Sequence, residues 1–285
     1  MADNEIDTES DAGFDAGGVG VWTDEDDFEV TRERMIAYAE ATNDPIDAHR
    51  TGEVAPPVFA IVPVFNALLP AVLSVAPVEA AIRIVHGEQD FLFHRPIRAG
   101  DVLTSRARPI GFAGKPSGST VTVHIESRDA NHELVNEQWV TSFFRNVDAG
   151  ATVGDPAPAH DVGTAGAPVA DVRAHVDEDQ TFRYSPAAGD PMPIHLDEDI
   201  AKLAGLPGII AHGLCMLAFT SWAVLTEVAG GRTDRLRRLA VRFAKPVLPG
   251  QDLTTSIWDA GDGRYAYEST VGDTVVIKNG LAEIV

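Results

Sequence analysis

The chain has 285 residues, enough for one large or two modest domains with their own cores, and its 45% hydrophobic and 23% charged residues are ordinary for a globular protein. Its net charge of −21 argues against binding to nucleic acid or to anionic membranes, because both repel an acidic surface. The single cysteine, Cys215, excludes an internal disulfide and fits a reducing cytoplasm.

The first half of the chain reads as an acidic leader followed by a compact unit. Residues 1–27 are rich in Asp, Glu and Gly, and we expect them to be flexible. Residues 28–147 contain a short helical segment, an uncharged stretch at 54–78 and several strand-like runs. The prolines of the uncharged stretch argue against a membrane span and favour a buried helix. The N-terminus lacks the basic-then-apolar order of a signal peptide, so we expect a cytoplasmic protein.

The second half repeats this organisation. Residues 148–176 have no clear periodicity and are predicted to be a linker, and residues 177–285 contain a long apolar helix near 211–229 followed by strand-like runs. Two pairs of segments match at equal spacing: Phe93-His-Arg-Pro96 with Phe243-Ala-Lys-Pro246, and Tyr38 with Asp44-Pro45 against Tyr184 with Asp190-Pro191. A helix wrapped by an antiparallel sheet is an α+β arrangement, and two copies can pair their sheets.

The candidate catalytic residues lie in the second copy. Asp190 and His195 are five residues apart in a proline-rich loop, and His212-Gly213 follows at the start of the apolar helix. A carboxylate and an imidazole can hold and activate one water, and a glycine N–H at a helix N-terminus can stabilise a developing oxyanion. Taken singly, Asp190 reads as a turn residue before a proline, and His195 as a structural histidine. Their combination with His212-Gly213 favours a catalytic pair.

These segments resemble the MaoC-like, R-specific enoyl-CoA hydratase family (hydratase 2), whose pattern is Tyr, then Gly-Asp-x-Asn-Pro-x-His, then Leu-His-Gly-Leu. The chain has the corresponding segments Tyr184, Gly189-Asp190-Pro191-Met192-Pro193-Ile194-His195 and Ala211-His212-Gly213-Leu214. The first half resembles the non-catalytic unit of double hot-dog members through Ala55-Pro56-Pro57-Val58-Phe59 and Val85-His86-Gly87-Glu88-Gln89. The likeness covers about residues 28–285 and implies a double hot-dog fold. Met192 departs from the pattern, since the family has Asn there.

The resemblance implies reversible hydration of trans-2-enoyl-CoA to (3R)-3-hydroxyacyl-CoA. Asp190 and His195 would act as general base and acid through one shared water, and the N–H of Gly213 would stabilise the thioester oxyanion. The coenzyme A thioester would be the substrate, and no metal or redox cofactor is implied. A homodimer is the family's usual assembly.

Four further residues are candidates for substrate binding. Tyr184 and His212 flank the catalytic motif, and Arg242 and Lys245 could contact the phosphates of coenzyme A. Arg242 belongs to the densest basic run of an otherwise acidic chain, at residues 232–242, although a solvated turn and strand would look the same. No histidine or carboxylate spacing on one element predicts a metal site.

The first unit is predicted to be non-catalytic and to shape the acyl pocket. Asp44 and His49 have the spacing of Asp190 and His195, but Phe59-Ala60 would stand at the helix entrance in place of His212-Gly213. Phenylalanine there would crowd a substrate, and alanine lacks the conformational freedom of glycine.

Three alternatives remain open at this point. The first is a dehydratase for a branched or dicarboxylic acyl-CoA, such as a mesaconyl-type substrate. The second is a thioester-binding protein without catalysis, which Met192 favours. The third is a thioesterase, against which the Gly-Asp-x-x-Pro-x-His loop argues. The acidic, lysine-poor composition also predicts a salt-loving source, although a GC-rich genome would produce a similar bias.

Overall fold

A single antiparallel sheet dominates the fold of residues 13–285, the part of the chain that the computed structural model describes. The strands along the sheet follow the order β1-β3-β4-β5-β2-β8-β11-β10-β9-β7, and β6 pairs with β3. Their bounds are β1 Asp26–Glu29, β2 Ile84–Phe93, β3 Val102–Lys115, β4 Gly118–Arg128, β5 Leu134–Arg145, β6 Thr152–Gly154, β7 Ala170–His175, β8 Leu236–Phe243, β9 Asp252–Gly261, β10 Arg264–Val271 and β11 Thr274–Ile284. The α+β class predicted from the sequence is confirmed.

Helices pack against one face of this sheet. The α-helices are α1 Arg32–Ala41, α2 Asp47–Arg50, α3 Phe65–Leu73, α4 Gln180–Ala188, α5 Glu198–Leu203 and α6 Gly213–Val228. The uncharged stretch of the first unit differs from the single buried helix that we predicted. It forms a 3₁₀ helix, Pro57–Val64, with Pro63 inside it, followed by α3, with Pro70 inside it.

The two units join through the central strands. Strand β2 pairs antiparallel with β8 from Glu88 opposite Arg242 to Leu92 opposite Arg238, so both units share one sheet. Under this junction the hydroxyl groups of Tyr38 and Tyr184 lie 3.2 Å apart, and both side chains are buried. The equivalent tyrosines of the sequence repeat therefore meet at the pseudo-twofold axis.

Two segments are more ordered than the sequence suggested. The first twelve residues of the predicted flexible leader lie outside the described residues, but residues 13–27 pack on the first unit. Phe14 contacts the rings of Phe112 and Phe144, and β1 pairs with β3. The linker likewise contributes β6 and β7, which pair with β3 and β9. In β7, Ala170, Val172 and Ala174 alternate with polar residues and pack against the core, a period-two pattern that the prediction of a linker overlooked.

Within residues 13–285, none of the helices combines the length and the apolar character that crossing a bilayer requires.

Candidate active site

The loop after α4 positions Asp190. Helix α4 ends at Gly189, whose φ of +74° is in the left-handed region that favours glycine, and the chain turns there into the loop. The Ser185 hydroxyl donates to the backbone carbonyl of Asp190 at 2.7 Å, which ties the loop back to the helix. The Met192 N–H donates to Oδ1 of Asp190 at 3.1 Å. The carboxylate is therefore held by the backbone and keeps its second oxygen for another partner.

His195 ends the short 3₁₀ helix Pro193–His195 and is buried. Its Nδ1 lies 2.8 Å from the backbone oxygen of Ile210, and a carbonyl can only accept a hydrogen bond. Nδ1 therefore carries the ring proton of the neutral imidazole, and Nε2 keeps its lone pair. The residue lines the large cleft described below.

His212 lies under His195 rather than in the cleft. The rings of His195 and His212 stack with centroids 3.8 Å apart and an interplanar angle of 27°. The ring centroid of Tyr184 lies 4.9 Å from that of His212. Nε2 of His212 donates to the backbone oxygen of Asp190 at 3.4 Å. His212 and Tyr184 thus support the two candidate catalytic residues. Both side chains are buried and neither lines the cleft, and their predicted contact with substrate stays a prediction.

The three polar groups form one cluster. A carboxylate oxygen of Asp190 and ring nitrogens of His195 and His212 lie within 4.8 Å of one another. That spacing suits a water shared between Asp190 and His195. It suits a metal ion poorly, because the lone pairs of two nearly parallel, stacked imidazoles point side by side instead of converging on one point.

Burial dominates the electrostatics of this cluster. It raises the pKa of Asp190 above its ordinary value of 3.8, and the neighbouring His195 only partly opposes the rise. It lowers the pKa of His195 below the ordinary 6.5. The pKa of His212 falls to about 2, mainly through burial and further through repulsion from His195. Both imidazoles are therefore neutral at neutral pH.

Gly213 is the first residue of α6, where the sequence placed it. An N–H in the first helical turn has no acceptor within its helix and can bind an anion. A Cβ on Gly213 would lie 3.3 Å from the ring of Phe243, so glycine keeps this side of the cleft open.

A cleft of about 860 Å³ lies between the two units and reaches both His195 and Gly213. Four cationic side chains line it: Lys115, Arg145, Arg242 and Lys245. The structure thus brings the predicted Arg242 and Lys245 to the same cleft as His195 and Gly213. Lys115 and Arg145, from the first unit, were missed because nothing in the sequence relates them to the second unit.

The rest of the arginine-rich run does not face the cleft. Arg238 pairs with buried Asp90 at 2.7 Å, Arg232 pairs with Asp234 at 2.6 Å, and Arg237 donates to the backbone oxygen of His94. The interpretation of this run as a solvated turn therefore holds for Arg232, whereas Arg238 is held in a mostly buried ion pair.

The equivalent position in the first unit is closed. Nδ1 of His49 donates to Asp44 at 2.7 Å, and Nε2 of His49 accepts from the hydroxyl of Thr233, in the second unit, at 2.6 Å. The cavity beside Thr233 has only about 10 Å³. His49 is thus saturated, whereas His195 keeps a free nitrogen facing a cleft.

The helix entrance of the first unit differs from the prediction. Ala55 donates its N–H to Ile97 as Ala211 does to Val247, so the pair equivalent to His212-Gly213 is Pro56-Pro57 and not Phe59-Ala60. Proline has no N–H, so the first unit lacks the helix N-terminal donor. An alignment of the two halves of the sequence would have revealed this only with a gap in the first half opposite α5, which the second half has in addition.

Two dehydratase family models match the chain, one in each unit. The MaoC like domain family matches residues 161–280, and the family described as FAS1-like, dehydratase domain region matches residues 18–138. The 3-hydroxyacyl-thioester dehydratase Y of Mycobacterium tuberculosis is 30% identical over 212 residues, which cover 71% of this chain and 73% of that protein. The peroxisomal multifunctional enzyme type 2 of Drosophila melanogaster is 31% identical over 200 residues, or 67% of this chain. The match spans only 32% of that longer protein.

Solved structures show the same fold. A MaoC-like dehydratase from Phytophthora capsici superposes with a TM-score of 0.82 at 24% identity, covering 92% of this chain and 95% of that one. A Mycobacterium tuberculosis protein described as having a double hotdog fold superposes with a TM-score of 0.63 at 13% identity, covering 94% and 96%. The chain therefore belongs to the MaoC-like dehydratase family of enzymes and has the double hot-dog fold that its sequence predicted.

Proposed function

We propose that the chain catalyses the reversible hydration of trans-2-enoyl-CoA to (3R)-3-hydroxyacyl-CoA. The observation that carries this proposal is the position of His195, which lines the cleft that also reaches Gly213 and has a ring nitrogen within 4.8 Å of a carboxylate oxygen of Asp190, while its Nδ1 is taken by Ile210. The names of relatives, among them a 3-hydroxyacyl-thioester dehydratase and a probable enoyl-CoA hydratase 2, support the same chemistry.

In the proposed reaction, Asp190 and His195 hold one water against C3 of the substrate. The bare Nε2 of His195 accepts a proton as the water oxygen attacks C3, and the same proton then passes to C2. The ionised Asp190 accepts the second hydrogen bond of the water and stabilises the transient imidazolium. The fixed tautomer of His195 thus favours His195 as the proton acceptor, which reverses the order of roles expected from the sequence.

The thioester oxygen gains negative charge while C3 is attacked. The N–H of Gly213 and the N-terminal end of α6 are the proposed stabilisers of that charge. One such donor contributes about 3 kcal/mol to lowering the barrier in well-studied hydrolases.

The cations of the cleft are proposed to bind the phosphates of coenzyme A. Arg242 and Lys245 retain this role from the sequence analysis, and Lys115 and Arg145 join them across the cleft. The mechanism needs neither a metal nor a redox cofactor. A homodimer and a cytoplasmic location remain predictions from the sequence.

The first unit, residues 28–147, is proposed to be non-catalytic. Asp44 and His49 bind each other and Thr233, and Pro57 offers no N–H where Gly213 has one. Its proposed contribution is one wall of the cleft beside the second unit, residues 177–285.

Loss of the enoyl-thioester absorbance of crotonyl-CoA in high salt tests the proposal. Wild type should hydrate crotonyl-CoA, Asp190→Asn should lose activity, and Asp44→Asn, the matched variant of the first unit, should stay active if it remains folded. An assay coupled to a dehydrogenase specific for the 3R alcohol should then detect the product. A folded wild type that binds crotonyl-CoA without hydrating it would instead support a binding protein.

A carboxylated acyl group is the second candidate. Arg145 lines the cleft and donates through Nη2 to the backbone oxygen of Ala204, while its Nε has no acceptor within residues 13–285. A guanidinium with an unused N–H is suited to a carboxylate. Turnover of mesaconyl-CoA well above that of crotonyl-CoA, lost in Arg145→Gln, would favour this substrate class.

A further inference from the structure

The segment between His195 and the start of α6 is folded back on itself, and we call residues 197–210 the α5 loop. The side chain of Asp197 caps α5 by accepting hydrogen bonds from two backbone N–H groups of the next turn, both at 2.9 Å. The Glu198 carboxylate accepts a hydrogen bond from the N–H of Ile209 at 3.1 Å, which ties the beginning of the loop to its end. The α5 loop is therefore a compact unit held together by its own hydrogen bonds.

The α5 loop carries groups on which the proposed reaction depends. The side chains of Leu206 and Ile210 line the cleft. The backbone oxygen of Ile210 accepts the hydrogen bond from Nδ1 of His195 that fixes its tautomer. Helix α5 packs mainly on the 3₁₀ helix Pro193–His195. The position of the α5 loop therefore sets one wall of the cleft and the orientation of the His195 ring.

Within residues 13–285, one hydrogen bond joins the α5 loop to the first unit. Arg145, the last residue of β5, donates through Nη2 to the backbone oxygen of Ala204 at 2.7 Å. Ala204 is the C-cap of α5, so this bond holds the middle of the loop. Arg145 from the first unit and Leu206 from the α5 loop both line the cleft, so the bond bridges its two walls. Its donor is charged, which makes it stronger than a bond between neutral groups.

We propose that Arg145 is a positioning residue, whose hydrogen bond to Ala204 holds the α5 loop, and through it His195, in the arrangement that converts the substrate. The proposal rests on the proposed function, because the group that is positioned is a candidate catalytic residue. It requires no carboxylate on the acyl group and no phosphate on the thiol that carries it. Positioning through Nη2 is therefore separable from contacts of Arg145 with either of those groups.

The N-acetylcysteamine thioester of crotonic acid tests this role in catalysis, since it has neither a phosphate nor a carboxylate. Arg145→Leu should lower kcat for this ester about tenfold, through displacement of His195, with KM nearly unchanged. Arg145→Lys, which keeps a charged donor, should recover most of the loss. Arg83→Leu is the matched control, because Arg83 donates to the backbone oxygen of Asn146 within the first unit, and it should behave as wild type.

Cleavage by a lysine-specific protease reports the attachment of the α5 loop without any reaction. The chain has four lysines, and two of them, Lys115 and Lys245, precede proline, where such proteases do not cut. Cleavage is thus confined to Lys202 in α5 and Lys278 in β11. Arg145→Leu should raise the rate of cleavage at Lys202 about tenfold, because the loop then opens locally more often. Cleavage at Lys278, in the sheet, should change only if the variant unfolds.

The two measurements separate the possible roles of Arg145. Unchanged cleavage at Lys202 in a folded Arg145→Leu would overturn the proposal, whatever the activity of the variant. A loss confined to crotonyl-CoA, with full activity on the N-acetylcysteamine ester, would also overturn it, because Arg145 would then act on the phosphates alone. A wild type inactive toward both esters would count against the hydratase function itself, whereas faster cleavage at Lys202 in the variant would still support the attachment of the loop by Arg145.

Discussion

Pro57 occupies in the first unit the position that Gly213 occupies in the second. Each follows, by two residues, an alanine that donates its N–H to the equivalent strand-end residue, Ala55 to Ile97 and Ala211 to Val247. Proline in place of glycine removes an N–H donor. The cavity beside Pro57 has a volume of about 10 Å³, whereas the cleft beside Gly213 has about 860 Å³. Both units thus have the same fold, but the site at this position is open in the second unit and closed in the first.

Thr233→Val should destabilise the protein. The variant keeps the size of the side chain but leaves Nε2 of buried His49 without its partner, and an unpaired buried group costs about 1–3 kcal/mol. Denaturant unfolding at fixed salt measures the change. Thr254→Val, in β9, has no such partner and should change stability by less than about 0.5 kcal/mol. Equal stability of the two variants would contradict an anchoring role for Thr233.

The activity should rise with pH on the acid side. The proposed active form has Asp190 ionised and His195 neutral, so both groups must lose a proton. The pKa of Asp190 is raised from 3.8 and that of His195 is lowered from 6.5, both mainly through burial, so the limb should lie above the ordinary carboxyl value of 3.8. A profile of kcat/KM against pH checks this. A decline of activity as the pH rises from about 6 to about 8 would be inconsistent with the assignment.

Gly213→Ala should reduce activity without unfolding the protein. The new Cβ would lie 3.3 Å from the Phe243 ring, and a small displacement of the N–H from the thioester should lower kcat/KM about tenfold to a hundredfold. Alanine is well tolerated in a helix, so the thermal midpoint should not fall. Adding Phe243→Leu should restore room and part of the activity. An unchanged kcat/KM in Gly213→Ala would argue against an oxyanion role.

Met192→Asn restores the residue that the resemblance leads one to expect. Within residues 13–285 the Asp190 carboxylate accepts one hydrogen bond, from the backbone N–H of Met192, and an amide side chain could add a hydrogen bond to the carboxylate or its water. Such a bond favours the ionised carboxylate, so the acid limb should move to lower pH, and kcat should rise at least about twofold. Parallel pH profiles of the two proteins measure both effects, and a lower kcat with an unmoved limb would mean that methionine suits this site better.

Added salt should stabilise the protein. With a net charge of −21 the folded chain repels itself, and an ionic strength of about 1 M shortens the Debye length to about 3 Å. The thermal midpoint should therefore rise between about 0.1 M and about 2 M KCl. An equal osmolality of sucrose provides the control, since it adds no screening. A midpoint that falls or stays level with KCl would speak against a salt-adapted surface.

The sequence predicted those features that depend on local residue pattern. The proline-rich run that holds Asp190 and the apolar run after Gly213 predicted a loop and a helix start, and the structure has both. The repeat likewise predicted two units and their junction of sheets.

Features that join distant segments could not be predicted in this way. The contact between His49 and Thr233 depends on how the two units dock, and no local pattern encodes it. In β2 the pairing with β5 shifts at Gly87, so His86 lies on the opposite face of the sheet from Glu88. A strictly alternating pattern read from the sequence would assign His86 to the wrong face. The error at Pro56-Pro57 arose because α5 lengthens only the second copy of the repeat.

Strands β2 and β8 join two units of one chain in the way that two identical subunits could join, and this affects how many copies of a substitution the protein carries. Two identical subunits would carry every substitution twice, whereas here a substitution in one half leaves the other untouched. One polypeptide of 30.4 kDa therefore presents a large cleft whose two walls come from two copies of one repeat, and each wall can change without the other.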